Sequence, residues 1–214
     1  MNSLNEYYKV KSVCDHYNKN INLIVVTKSQ ELDNYKAIID VGHIHFGENK
    51  VQEASRKWSN LIIANDKINL HLLGKLQSNK IKEAFNIFTY FHSLADKKLA
   101  NLFYQLESER KTKKKYFVQV NLASEDNKNG LSISSVFEFV NYCKFDLNLN
   151  ILGLMCLPPF GVPAKPYFNQ LKSLNDKLGL SQTSMGMSND FEQALQCGST
   201  YVRVGSAIFG KRFK

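Results

Sequence analysis

A closed, eight-stranded parallel α/β barrel is the fold class that this 214-residue sequence predicts. Three observations predict it. Short apolar runs alternate with amphipathic stretches from end to end, the pattern of successive βαβ units. There are eight such runs, and eight strands close a barrel. No G-x-G-x-x-G follows the first run, which counts against a doubly wound open sheet.

In chain order, strands are predicted over 21–27, 44–47, 69–74, 88–93, 116–122, 150–157, 180–185 and 201–206. Several are rich in Val, Ile, Phe and Tyr, side chains that suit a pleated, half-buried surface. Helical spacing lies between them, as in Ile81, Ala84 and Phe85, or Val136, Phe139, Val140 and Cys143. Ahead of the first strand, Leu4, Tyr7, Tyr8, Lys11, Cys14 and Tyr17 fall near one helical face. After the last strand the sequence runs only to Lys214, so an N-terminal helix is expected to fill the place of the eighth outer helix. With no linker-like or low-complexity stretch, residues 1–214 read as one domain.

Composition narrows the function classes. Apolar residues make up 43% and charged residues 22%, ordinary for a soluble chain with a real core. No apolar run approaches the roughly 18 residues that a membrane span needs. Met1 to Val13 carries Glu6 and has no apolar segment of the signal-peptide kind. Cys14, Cys143, Cys156 and Cys197 make no C-x-x-C pair, so free thiols and a cytoplasmic location are expected. The net charge of +9 favours anionic partners, nucleic acid among them. Its densest run, Arg110 to Lys115, is expected to be a solvated loop, and no zinc-finger or RNA-binding pattern accompanies it. Nucleic acid therefore ranks far behind a small ligand, and no membrane partner is expected.

Barrels gather function at the carboxyl ends of their strands. Strand alternation puts Ile24, Val26 and Lys28 on one side of the first strand. If the first two fill the interior, Lys28 projects into the mouth. Spacing alone favours a solvated strand end, since lysine is usually exposed. The alternative is an amine partly removed from water, with a lowered pKa, able to form a Schiff base with a carbonyl. Ser184-Met185-Gly186-Met187-Ser188-Asn189-Asp190 and Arg203-Val204-Gly205-Ser206 follow or close strands seven and eight, where barrels commonly hold phosphate. Gly186 and Gly205 would let the backbone approach an anion. Ser188 would cap the next helix, or Asn189 with Glu192 would do so one residue later. An amine facing a phosphate cradle suits a ligand with an aldehyde and a phosphate, which is pyridoxal 5′-phosphate (PLP).

These residues sit in blocks that resemble the pyridoxal phosphate homeostasis proteins, the YggS/PROSC family. The blocks are Val25-Val26-Thr27-Lys28, Phe46-Gly47-Glu48-Asn49 with Gln52-Glu53, and His71-Leu72-Leu73-Gly74 with Gln77-Ser78-Asn79-Lys80. Val118 to Asn121, Gly153 to Met155, Ser184 to Ser188 and Val202 to Gly210 follow in order. The resemblance covers nearly all of the chain after residue 20. It implies a barrel like the N-terminal domain of alanine racemase, with PLP held as an imine on Lys28. It further implies Arg203 at the pyridine nitrogen and Ser188, Gly205 and Ser206 at the phosphate. Asn49, Asn79, Asn121 and Met155 would line the mouth, each with a cap or packing role as the alternative. Ala95 stands where the family usually has aspartate, Lys75 where it has His or Pro, and Ser206 where threonine is more usual.

Alanine racemases take a second acid/base, a tyrosine, from a separate β domain, for which the sequence after Gly210 leaves no room. An arginine at the ring nitrogen also disfavours its protonation and weakens the ring as an electron sink. The expectation is a PLP carrier or buffer in vitamin B6 homeostasis, with apo PLP-dependent enzymes as candidate recipients. A weak amino-acid racemase is the alternative.

Overall fold

The computed structural model describes residues 2–123 and 129–210. Eight parallel strands pair in sequence order and the last returns to the first. They are β1 (Asn22–Val26), β2 (His45–Glu48), β3 (Asn69–Leu72), β4 (Tyr90–Leu94), β5 (Lys115–Gln119), β6 (Ile151–Met155), β7 (Gln182–Met187) and β8 (Tyr201–Val204). Closure is made by β1 on β8, with Asn22 opposite Tyr201 and Val25 opposite Val204.

The helices are α1 (Ser3–Tyr17), α2 (Leu32–Asp40), α3 (Val51–Ala64), α4 (Ile81–Ile87), α5 (Lys97–Arg110), α6 (Ile133–Asn141), α7 (Lys165–Lys177), α8 (Phe191–Gln196) and α9 (Ser206–Phe209). Local signals set their ends. Asn2 caps α1 by accepting from the Leu4 N–H, and Asp96 caps α5 by accepting from that of Leu99. Lys111 ends α5 in the left-handed region.

Two apolar layers result. The larger lies between sheet and helices and includes Trp58, Tyr35, Phe103 and Phe168, all essentially buried. The smaller fills the barrel and is made of Ile24, Val26, Tyr90, Phe117, Met155 and Tyr201. Ile24 and Val26 therefore face inward, as alternation requires.

Helix α1 packs against α2, α8 and α9 and so occupies the outer position expected of it. Two details differ from expectation. Its buried face is Tyr7, Val10 and Cys14, whereas Tyr8 and Tyr17 are exposed, because the stripe turns with the helix. The one-turn α9 follows β8; residues 211–214, which also entered the expectation of no outer helix, lie outside the described residues.

The basic run is more structural than a solvated loop. Lys115 opens β5 and donates to the Tyr90 hydroxyl at 3.0 Å. The Lys114 ammonium lies 4.7 Å from the Phe85 ring centroid, and Lys113 pairs with buried Glu107 at 2.9 Å. Lysine stems cover apolar surface while their charges find partners, which apolar patterning does not reveal.

Candidate ligand site at the barrel mouth

The carboxyl ends of the strands open on a cavity of about 870 Å³. Lys28, Asn49, Met155, Ser188, Arg203, Gly205 and Ser206 all line it. These are seven of the nine residues picked from sequence. Of the other two, Asn79 lines a separate shallow groove with Lys75 and Asp96, because the turn after β3 carries it outward into a 3₁₀ turn, Ser78–Lys80. Asn121 is likewise absent from the cavity wall; its backbone N–H pairs with the Leu131 carbonyl at 2.8 Å.

Lys28 lies two residues past the end of β1 and is half-buried. Both its neighbours are fixed. The Lys57 ammonium donates to the Thr27 carbonyl at 2.6 Å and to Glu48 at 2.6 Å. Glu53 accepts from the Ser29 N–H at 2.5 Å, and Ser29 sits in the left-handed region with φ of 59°. The Thr27 hydroxyl and the Trp58 indole N–H also donate to Glu48, at 2.8 and 3.1 Å. All three bonds fall on Oε1 of Glu48, and the buried ion pair with Lys57 anchors the turn that carries Lys28.

Arg203 is 4% exposed yet reaches the cavity wall. Its guanidinium donates to the Ser184 hydroxyl at 2.6 Å and to the Cys156 carbonyl at 3.0 Å. Burial pushes its pKa down to about 10, far enough above neutrality to leave it a cation.

Ser188 accepts from the Gly205 N–H at 3.1 Å and the Ala207 N–H at 3.2 Å. It thus caps α9, whereas the sequence had suggested that it would cap α8. Helix α8 has no side-chain cap; Asp190 accepts instead from the Met187 N–H at 2.6 Å. Gly186 also has a different reason from the expected one. Its φ is +92°, and a Cβ there would lie 2.5 Å from that of Ala194. It lets β7 pack on α8 and does not line the cavity. The rim was missed in sequence: Leu157 to Pro163 forms one wall, with Phe160 almost wholly exposed. A Pro-Pro-Phe-Gly stretch after a strand was the available signal.

A closed parallel barrel with an amine and a polar corner at its mouth is the architecture of a ligand-binding barrel of the alanine racemase kind. The family model described as "Alanine racemase, N-terminal domain" matches residues 8–212. Curated relatives narrow this. The Aquifex aeolicus protein named pyridoxal phosphate homeostasis protein is 30% identical over 95% of this chain and 94% of its own length. Its namesake from Pasteurella multocida is 32% identical over 90% of this chain and 87% of its own. The chain belongs to the pyridoxal phosphate homeostasis protein family.

Solved structures agree. PipY of Synechococcus elongatus superposes with a TM-score of 0.87 at 31% identity, covering 95% of this chain and 99% of PipY. The PLP-bound form of PipY gives 0.87 at 29% identity, over 96% of this chain and 100% of PipY. Alanine racemase from Bartonella henselae, with covalently bound pyridoxal phosphate, gives 0.72 at 14% identity and shares the fold. This chain is covered completely in that match but spans 62% of the racemase.

Proposed function

We propose that this protein binds PLP through the Lys28 amine and acts inside the cell as a carrier and buffer of that cofactor. One observation carries the reading: Lys28, Arg203 and the Ser188–Gly205–Ser206 corner converge on a single cavity. The donor set fits the ligand. When bound, PLP supplies an electrophilic aldehyde and a conjugated ring. Lys28 offers the nucleophile, held by the fixed Thr27 and Ser29 backbone. Arg203 offers N–H donors to a ring-nitrogen lone pair. Ser188 and Ser206 offer hydroxyls to a phosphate, with Gly205 beside them giving its N–H to Ser188. Asn49 and Met155 shape the wall. The PLP-bound PipY neighbour supports the same assignment.

A carrier role is favoured over catalysis by what else faces the ligand space. Among the described residues, Lys28, Asp190 and Arg203 are the ionisable side chains on the cavity wall. No tyrosine, histidine or cysteine among the described residues joins them on that wall to serve as a second acid/base opposite the lysine. Among the described residues no helix is long and apolar enough to cross a membrane. The candidate recipients of the cofactor are apo PLP-dependent enzymes. The test is borohydride reduction of the PLP-loaded protein followed by peptide mass mapping. A pyridoxyl group on Lys28 is expected; labels scattered over surface lysines would overturn the assignment.

A further inference from the structure

The barrel interior holds a polar column that the ligand site alone does not explain. Arg203 on β8 donates to Ser184 on β7. The Ser184 hydroxyl lies 2.9 Å from Nδ1 of His92 on β4. Nε2 of His92 lies 2.9 Å from Nδ1 of His71 on β3, and Nε2 of His71 lies 2.9 Å from Nδ1 of His45 on β2. Ser184, His71 and His92 are fully buried, while His45 borders a groove at the opposite end of the barrel. Five strands contribute, and the column runs through the barrel from mouth to base.

Its direction follows from proton accounting. A guanidinium N–H can only donate, so Ser184 accepts from Arg203. Among the described residues Ser184 Oγ has one other hydrogen-bond partner, His92. If His92 Nδ1 donated, the buried hydroxyl proton would have no acceptor, a costly arrangement. The hydroxyl therefore donates to His92 Nδ1, which puts the His92 proton on Nε2. That proton is donated to His71, and the proton on His71 Nε2 is donated to His45. Burial lowers the pKa of all three histidines, consistent with three neutral rings.

We propose that His92, backed by His71 and His45, is a positioning residue for Arg203: the column turns every donor away from the guanidinium, so that Ser184 presents it with a lone pair. Among the described residues no carboxylate forms an ion pair with Arg203. A carboxylate would neutralise the guanidinium; an aligned row of neutral dipoles holds it and leaves its charge directed at the cavity. The inner wall then selects a ligand atom that accepts a hydrogen bond over one that cannot. This specificity rests on the PLP reading, whereas the column's direction does not.

Two measurements separate them. Histidine ¹⁵N NMR of the apo protein should show the Nε2–H tautomer at both His71 and His92. An Nδ1–H tautomer at His92 would overturn the column's direction, whatever PLP does. The second compares affinities for PLP and for its 1-deaza analogue, in which a C–H replaces the ring nitrogen. The wild type should favour PLP about tenfold or more, the scale of one charge-assisted hydrogen bond. His71→Phe keeps the ring that stacks on Tyr90 but removes the acceptor behind His92. It should narrow that preference severalfold while leaving deaza-analogue affinity in place. Ser184→Ala should narrow it from the other end. An unchanged preference in both variants would overturn the positioning role, and equal loss of both ligands would reduce the column to scaffolding. Failure of PLP to label wild-type Lys28 would instead remove the ligand assignment and leave the NMR result standing.

Discussion

Lys57, on the outer helix α3, donates to the carbonyl oxygen of Thr27 at 2.6 Å, one residue before the proposed attachment lysine. The same ammonium pairs with Glu48, whose carboxylate is fully buried. Removing the cation would leave a buried carboxylate uncompensated, which costs about 3 kcal/mol or more. Lys57→Met is therefore expected to lower the urea midpoint sharply.

Glu53→Ala tests the other half of the clamp. Glu53 is on the rim of this network and holds the Ser29 N–H. Its loss should cost only about 1 kcal/mol, the net worth of one hydrogen bond. Lys28 would then sample more orientations, so PLP labelling at a fixed, subsaturating concentration should fall severalfold. Labelling equal to wild type would show that the clamp supports the fold without orienting the amine.

Arg203→Gln addresses the inner wall. PLP should still attach, because Lys28 is supplied by the turn after another strand, β1. The absorption band of the bound pigment should shift as the ring nitrogen loses its cationic neighbour. An unchanged spectrum and affinity would sink the proposed arginine contact.

Sequence carried the barrel and most of its mouth, for identifiable reasons. Alternation placed Ile24 and Val26 inside, and that phase delivered Lys28 to the cavity. The spacings Ile81–Ala84–Phe85 and Val136–Phe139–Val140 mark helix faces that are indeed buried. Strand ends were less legible. The runs 69–74 and 201–206 end as strands at Leu72 and Val204, since their last residues turn into loops that still pack on the barrel. Asn79 was misplaced because a sequence block says nothing of how far a turn carries its tip. The histidine column was not visible at all. His45, His71, His92 and Ser184 are isolated polar residues on different strands, and only ring closure brings them within hydrogen-bond reach.

Buried histidines also fix a pH dependence. Desolvation by burial lowers His43 to about 4, and burial with the nearby Lys115 charge lowers His45 to about 4. An unfolded histidine titrates near 6.5. Between those values the unfolded chain binds protons that the folded chain does not, so stability rises with pH there. It is complete above pH 6.5 and is lost as pH falls toward 4. Each histidine contributes a slope of about 1.4 kcal/mol per pH unit, or about 2 kcal/mol between pH 7 and 5. His71 and His92, held well below their ordinary value chiefly by burial, add to it. Urea midpoints at pH 7, 6 and 5 should fall steeply; a flat series would mean that these rings are not held neutral.

Gly186→Ala separates packing from ligand binding at the seventh strand. A methyl group would be forced into a left-handed backbone at φ +92° and would meet Ala194 Cβ at 2.5 Å and Phe191 Cα at 3.0 Å. Backbone strain and overpacking add, for an expected loss of about 2 kcal/mol or more. In a chain of this length that lowers Tm by about 4–8 °C. If Gly186 served close approach to an anion, PLP affinity would fall as well. Because it packs on α8 and does not line the cavity, the folded variant should bind PLP with little change from wild type. Calorimetry and PLP titration below the shifted Tm measure the two effects independently. Loss of affinity without loss of stability would restore the phosphate role that the sequence suggested for this glycine.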